Sequence, residues 1–460
     1  MNNITFSFLN FINFTDLSYW TTKRFFAKEL VFSKKHPLKF FGYFLEKITP
    51  KTEQIQDDKD YPIIGVRSYG MGAYINRISQ GRNLKMKKYQ LAEENHIIWC
   101  KVDTKNGAFG IVTSKLKNSY ASSNMTLAKI DNSKITNEYL QLVFRSKKIQ
   151  QYLDSFVSGT TNRKYIKIDE LLSKIQIPLP EIKQQEIIVK KYNDKIKLAQ
   201  EQEQKAQDLE NDIEKYLFKE LNVSIEPDNI EDYHKSLISF IDLKTLSRWG
   251  VEYLINKKSD SSLLKSKTMP MKRLGDIVEI DPKNNFSSLD KDLEMSFIPM
   301  PCISDEYGEI IKLEDGVNEK SKGYTRFQEG DLIWAKITPC MQNGKSAILK
   351  GLKNGYGYGS TEFYVIRNSN PKVCIDYIYH ILRTKLVRQN AMTYFTGSSG
   401  QQRVPKSYLQ NLEIPLPEIK IQKSISDEIY MMKDKIKELK QQAEQNRIAA
   451  QKEFEKELFE

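Results

Sequence analysis

The residues best placed to cut a phosphodiester bond are Glu181 and Lys183, a carboxylate and an amine flanking one position, with Asp169 upstream as a conceivable second carboxylate. Metal-assisted hydrolysis needs oxygen ligands that converge on one ion. Two features argue against that chemistry. Glu181 follows Pro180 at what reads as the start of a long helix, and a second copy of the same region carries Lys406 where Asp169 stands. The glycines Gly355, Gly357 and Gly359 in NGYGYGSTE lack the Lys-Ser/Thr of a phosphate loop and the helix pattern of a dinucleotide site. The chain also has no Asn-Pro-Pro-aromatic string of the kind amino-methyltransferases use. The residue types that remain suit recognition rather than catalysis.

Those residues lie in three pairs of loops. One group is Arg67 and Tyr69 in RSYG, with Arg77 beyond it; its partner in the second copy is the acidic SDEYG, which begins at Ser304. Lys101, Lys105 and Asn106 in KVDTKNG face Lys336, Gln342, Asn343 and Lys345 in KITPCMQNGK. Asn162, Arg163 and Lys164 in GTTNRKYIK face Gln401, Gln402 and Arg403 in GSSGQQRVPK. Cationic side chains neutralise phosphates, while amides and guanidinium groups read base edges. An ordinary solvated turn uses the same residues, so no single loop is decisive. Taken as groups in matched frames, the loops favour DNA.

The frame that must position them is a duplication. The heptapeptide IPLPEIK occurs at 177–183 and at 414–420. Upstream, the segment 139–159 aligns without gaps with 377–397, placing Arg145 on Arg383 and Lys147 on Lys385. Trp99 answers Trp334, and even Leu17-Ser18-Tyr19-Trp20 answers Leu246-Ser247-Arg248-Trp249. Each copy takes up about half of the 460 residues, far more than a solenoid repeat.

Within each copy a globular segment precedes a long polar helix. Strand-like runs at 61–66, 96–102, 332–337 and 363–367 are punctuated by Gly, Asn and Ser, and one helix is predicted at 137–156 and again at 375–394. The fold class expected is α+β, two tandem mixed domains. The alternating prolines of IPLP enforce extended backbone, and Glu181 is expected in the first helical turn that follows. Val189, Tyr192, Ile196, Ala199, Ala206, Ile213 and Leu217 form a narrow apolar stripe; Ile425, Ile429, Met432, Ile436, Leu439, Ala443, Ala450, Phe454 and Leu458 form another. Stripes this narrow are expected to bury against each other as an antiparallel coiled coil rather than on a broad core. The resulting domains are an N-terminal segment 1–36, a first globular domain 37–180, a first spacer helix 181–221, a linker 222–269, a second globular domain 270–417 and a second spacer helix 418–460.

Lys and Arg exceed Asp and Glu by 12 charges, which favours a polyanionic partner. Cys100, Cys302, Cys340 and Cys374 show no metal-ligand spacing and are expected as buried free thiols, with no metal site. The apolar N-terminus lacks a basic n-region and a cleavage site, and no run is long enough for a bilayer, so a cytoplasmic protein without membrane contact is expected.

The tandem layout, with IPLP, a downstream Gln (Gln185, Gln422) and a long helix in each copy, resembles the specificity subunits of Type I restriction-modification systems over almost the whole chain. The resemblance implies a non-catalytic subunit in which each domain binds one half of a bipartite target in double-stranded DNA and the paired helices fix the spacer. It implies two methyltransferase subunits as partners, which carry S-adenosylmethionine. Where the complex also restricts, it implies two restriction subunits that use ATP and Mg. A methylation-only complex, or a coiled-coil scaffold for protein or RNA, is the alternative.

Overall fold

A computed structural model describes residues 32–100, 107–156, 166–223, 263–284, 286–398 and 400–460. The start of the chain and most of the 222–269 linker, including the paired Trp20 and Trp249, lie outside the described residues.

The chain divides into two compact units, residues 1–201 with 442–460, and residues 202–441. In the first unit β2 (Leu45–Lys47), β10 (Met125–Ile130), β7 (His96–Cys100) and β8 (Phe109–Ile111) form a sheet in that order. A second sheet runs β3 (Thr52–Gln54), β6 (Lys88–Ala92), β9 (Ser119–Ala121), β4 (Asp60–Val66) and β5 (Ala73–Gln80). The second unit repeats the first sheet as β13 (Glu279–Ile280), β20 (Phe363–Arg367), β17 (Leu332–Ala335) and β18 (Ser346–Ile348). Its other sheet is β15 (Glu314–Val317), β14 (Glu294–Ile298), β19 (Tyr356–Gly359) and β16 (Thr325–Gln328). The matched tryptophans occupy the same place in both copies. Trp99 on β7 stacks on Phe109, which stacks on Phe144 at 4.2 Å; Trp334 on β17 stacks on Tyr364; both indoles are buried.

Two glycines of NGYGYG, Gly357 and Gly359, belong to the sheet packing. A Cβ on Gly357 would lie 2.5 Å from the Phe327 ring on β16, and one on Gly359 would lie 2.1 Å from the Ile298 carbonyl on β14, so the bare backbone lets β19 lie close to both neighbours.

IPLP is a strand ending. Residues Gln176–Pro178 (β11) pair antiparallel with Leu38–Phe40 (β1), and Glu413–Pro415 (β21) pairs with Met271–Arg273 (β12), as the extended-backbone reading anticipates. Each pairing ties the opening of a domain to its exit. Tyr139 and Tyr377, at matched positions, each donate a buried hydrogen bond to the first proline carbonyl, Pro178 at 2.9 Å and Pro415 at 2.6 Å.

The helix expected at 137–156 is two helices, α1 (Asn137–Arg145) and α2 (Lys147–Ser155). Ser146 between them is extended, and its hydroxyl accepts the Ile149 amide, which restarts the helix with an N-cap. The second copy breaks at Thr384, whose hydroxyl caps Val387, between Ile375–Arg383 and Lys385–Thr393. Continuing in chain order, the helices are α3 (Ile168–Lys174), α4 (Ile182–Glu220), α5 (Leu274–Ile277), α6 (Ile375–Arg383), α7 (Lys385–Thr393), α8 (Lys406–Asn411) and α9 (Ile419–Phe459). Glu181 precedes α4 rather than lying in its first turn, and its carbonyl accepts the Gln184 and Gln185 amides.

α4 and α9 pack together antiparallel. In the first unit Tyr192 meets Phe454 edge to face and Lys195 pairs with Glu453 at 3.2 Å, so numbers rise on one helix as they fall on the other. In the second unit Ala206, Leu209 and Ile213 pack with Ile436 and Leu439, and Lys440 pairs with Glu210. The expectation that the stripes bury only against each other needs correction. Ile188, Val189 and Tyr192 of α4, with Ala450, Phe454 and Leu458 of α9, belong to the same core cluster as Trp99, Tyr139 and Phe144. Leu217 and Phe218 of α4, with Ile425 and Ile429 of α9, belong to the cluster holding Trp334 and Tyr377. A buried side chain of this size contributes roughly 2 to 3 kcal/mol, so the helix ends are structural parts of the domains. Among the described residues no helix is long and apolar enough to cross a membrane.

Candidate nucleic-acid interface

In each copy a glycine-closed loop sits on the last turn of the first helix of the helix pair. In the first, the chain leaves β4, and the Arg67 amide donates to the Gly72 carbonyl at 3.0 Å while the Gly70 amide donates to Gly107 at 2.9 Å. The Gly70 carbonyl receives Gln141 Nε2 at 2.6 Å and Arg145 Nε at 3.4 Å. Gly70 has φ of +65°, and a Cβ there would lie 2.5 Å from the Phe144 carbonyl. The second copy closes the same way at Gly308, with φ of +69° and Tyr379 and Arg383 in the places of Gln141 and Arg145. Arg383 Nη2 donates to the carbonyls of Asp305 and Glu306, both at 3.1 Å, and Nη1 to that of Gly344. One guanidinium thus fastens the SDEYG loop to the KITPCMQNGK loop.

Gly344 and Gly107 occupy matched places. Arg388 packs on Gly344 and donates to the Arg383 carbonyl; Gln150 packs on Gly107 and donates to the Arg145 carbonyl. The third loop joins the second directly. The Thr338 amide donates to the Gln402 carbonyl at 3.0 Å, Val404 donates to Lys336, and Ile337 bridges Arg403. Thr338–Pro339 is a cis peptide at this turn. In the second domain the three loops singled out from sequence therefore form one surface.

The side chains on these loops have different freedoms. Tyr69 is 63% exposed, and Arg67 is exposed with its guanidinium 4.6 Å from the Tyr74 ring centroid. Arg77 is exposed on β5, opposite Ile63 where the pairing register shifts. Asn343 and Gln401 are exposed, and Gln402 is partly exposed. Lys336 lies 5.0 Å from the Tyr364 ring, and the Gln342 side chain bonds to Thr338. Lys345 donates to the Met300 carbonyl at 3.2 Å. Arg403 grips Glu362 through two bonds, 2.8 and 2.7 Å, and the Glu362 carboxyl is held below its ordinary pKa by that bonding. Lys101, Lys105, Asn106, Asn162, Arg163 and Lys164 lie outside the described residues.

Sequence reasoning missed the residues that seat these loops: Gln141, Tyr379, Arg383 and Arg388. The identity of Arg145 and Arg383 was a usable signal, because an arginine kept while the flanking loops diverge has a job in the frame.

Of the alternatives with catalytic chemistry, Asp169 is bonded to Lys47 at 2.7 Å, and Glu181 stands at the entry to α4. No group of three or more His, Cys, Asp or Glu residues among the described ones could hold a metal ion. None of the four cysteines is in a disulfide; Cys302 is buried as anticipated, whereas Cys100, Cys340 and Cys374 are partly exposed, a correction to the expectation of burial.

Compared with known proteins, residues 39–211 and 266–449 each match the family model described as Type I restriction modification DNA specificity domain. The Type I restriction enzyme EcoEI specificity subunit of Escherichia coli is 41% identical over 149 residues, 31% of this chain and 24% of that protein. The EcoAI specificity subunit of the same organism is 41% identical over 154 residues, 32% of this chain and 25% of that one. The chain thus spans about a quarter of the length of these relatives. A solved structure described as showing complex assembly and conformational transition of the type I R-M system covers 93% of this chain and 98% of its own, with a TM-score of 0.55 at 13% identity, a likeness of fold.

Proposed function

The chain belongs to the family of Type I restriction-modification DNA specificity domains, and from that premise we propose that it is the non-catalytic subunit that reads a bipartite sequence in double-stranded DNA. Each domain reads one half. The α4–α9 pair sets the number of unread base pairs between them. The observation that carries this reading is the repeated loop frame: Gly70 and Gly308, Arg145 and Arg383, and Gly107 and Gly344 hold the same places, while the side chains they present differ. Two unlike reading surfaces on one scaffold are what two unlike half-sites require.

In the first domain Arg67, Tyr69 and Arg77 are offered to the duplex, together with Lys101, Lys105, Asn106, Asn162, Arg163 and Lys164. In the second, Asn343, Gln401 and Gln402 are the polar tips for base edges and Lys336 a phosphate contact. Lys345 and Arg403 are already committed to Met300 and Glu362, and act by shaping the surface. The chain works in the cytoplasm with two methyltransferase subunits that supply S-adenosylmethionine, joined by two ATP- and Mg-dependent restriction subunits where the complex cuts.

Selection from a randomised duplex pool by the full chain, alone and with a co-expressed methyltransferase, tests the reading. The expected result is two different short motifs at one fixed separation, with binding that weakens steeply as salt rises. A single undivided motif, or preference for RNA or a protein partner over duplex DNA, would overturn it.

A further inference from the structure

The SDEYG loop of the second domain is gripped not only by its own helix but by cations on α9. Lys437 Nζ lies 2.7 Å from both Glu309 carboxylate oxygens. Lys440 Nζ bridges Glu306 on the loop and Glu210 on α4, the latter at 2.7 Å. Both ammonium groups also approach the Tyr307 ring, at 5.3 and 5.7 Å from its centroid. One turn earlier on α9, Lys433 donates to the Tyr379 hydroxyl at 3.1 Å, and that hydroxyl lies 2.8 Å from the Gly308 carbonyl and 3.1 Å from that of Tyr307. By the IPLP register, the α4 positions that answer Lys433, Lys437 and Lys440 are Ile196, Gln200 and Glu203, none of them a cation.

We infer that Lys437 and Lys440 are positioning residues that seat the 304–309 loop from the helix pair, so that base discrimination by the second domain, and not by the first, depends on them. The inference rests on the DNA-reading assignment above. Arg383 and Tyr379 hold the loop backbone from Asp305 to Gly308, and the Ser304 amide closes it on the Glu309 carbonyl at 2.9 Å, so what α9 sets is the Tyr307 ring and the Glu306 and Glu309 carboxylates. Exposed ion pairs taken singly hold little. Here two cations share one short loop, one of them is held by a carboxylate on each side, and both press their charge against the same aromatic ring. Base-edge hydrogen bonds weaken steeply with misplacement, and the same lysine side chain that orders the loop binds α4. The SDEYG loop therefore carries the position of the helix pair into the reading surface, through contacts for which the first copy has no equivalent cations.

The test compares the full chain with its Lys437→Met/Lys440→Met double variant, which keeps much of each apolar stem and removes the charges. Two quantities are read: amide hydrogen exchange across 304–309, and base preference by selection from a randomised duplex pool. Exchange in the loop is expected to rise, and discrimination at base pairs of the second half-site to fall about tenfold, with the first half-site unchanged. The Lys437→Arg/Lys440→Arg variant is expected to restore both. Equal loss at both half-sites, or no loss at the second, would sink the idea. If the unaltered chain selects no bipartite sequence, the DNA-reading assignment is what fails. The exchange comparison then still decides whether the lysines seat the loop, and unchanged exchange overturns that too.

Discussion

Gly308 concentrates the geometry of the reading surface in one missing methyl group. Its φ of +69° disfavours any side chain, and a Cβ would meet Arg383 Nη1 at 2.1 Å and the Tyr379 hydroxyl at 2.5 Å, the two groups that fasten the loop. Gly323 provides the comparison, with φ of +82° and nothing within 4 Å of the Cβ position. Gly323→Ala is expected to cost roughly 1 kcal/mol, the backbone penalty alone. Gly308→Ala should cost roughly 2 to 4 kcal/mol, because the loop or the arginine must also move. Urea denaturation of the two variants separates these; equal midpoints would show that the loop gives way without resistance. Gly70→Ala should cost at least as much as Gly308→Ala, because its Cβ would meet the main chain of Phe144 and Arg145 and not the tips of side chains.

The junction between IPLP and each long helix explains why the motif carries a glutamine. Gln185 is buried; it accepts the Thr136 amide at 2.8 Å and donates to the carbonyls of Lys134 and Pro180. Gln422 repeats all three bonds with Cys374, Lys372 and Pro417. A side chain with a donor and an acceptor at this reach joins the start of the first domain helix, the proline turn and the long helix at a single point. Gln422→Leu preserves bulk but strands an amide and two carbonyls, with an expected loss of roughly 3 kcal/mol. A calorimetric melt lowered by no more than that of a surface Gln→Leu control would contradict the clamp. This level of organisation was partly legible in sequence. The duplication, the strands around Trp99 and Trp334, the extended prolines and both long helices follow from patterns repeated along the chain. The breaks at Ser146 and Thr384 were missed because each apolar pattern runs straight through them, although Ser and Thr are the residues that cap a restarting helix. The role of the helix ends in the domain cores was missed because a stripe shows which residues are buried and not against what. The Arg403–Glu362 pair joins positions far apart in the chain, beyond the reach of local spacing.

At the scale of the molecule, the proposed spacer role makes helix length a specificity parameter. Four residues inserted into both long helices, between Glu201 and Gln202 and between Gln441 and Gln442 where the compact units divide, add about one turn, or about 5 to 6 Å. That is roughly one to two base pairs of duplex at about 3.4 Å each. Both half-site motifs should stay the same while the gap between them grows, as read by mapping methylated positions in a host genome. An unchanged gap would remove the helices from that role. The interleaving of the units has a further outcome during biosynthesis. Ala450, Phe454 and Leu458 help to fill the interior beside Trp99 and Tyr139, so a ribosome that has finished the first domain has not yet made the parts needed to shut it. That domain waits, incompletely packed, while the rest is translated, and a nonsense codon shortly before position 450 would injure the half of the protein made first.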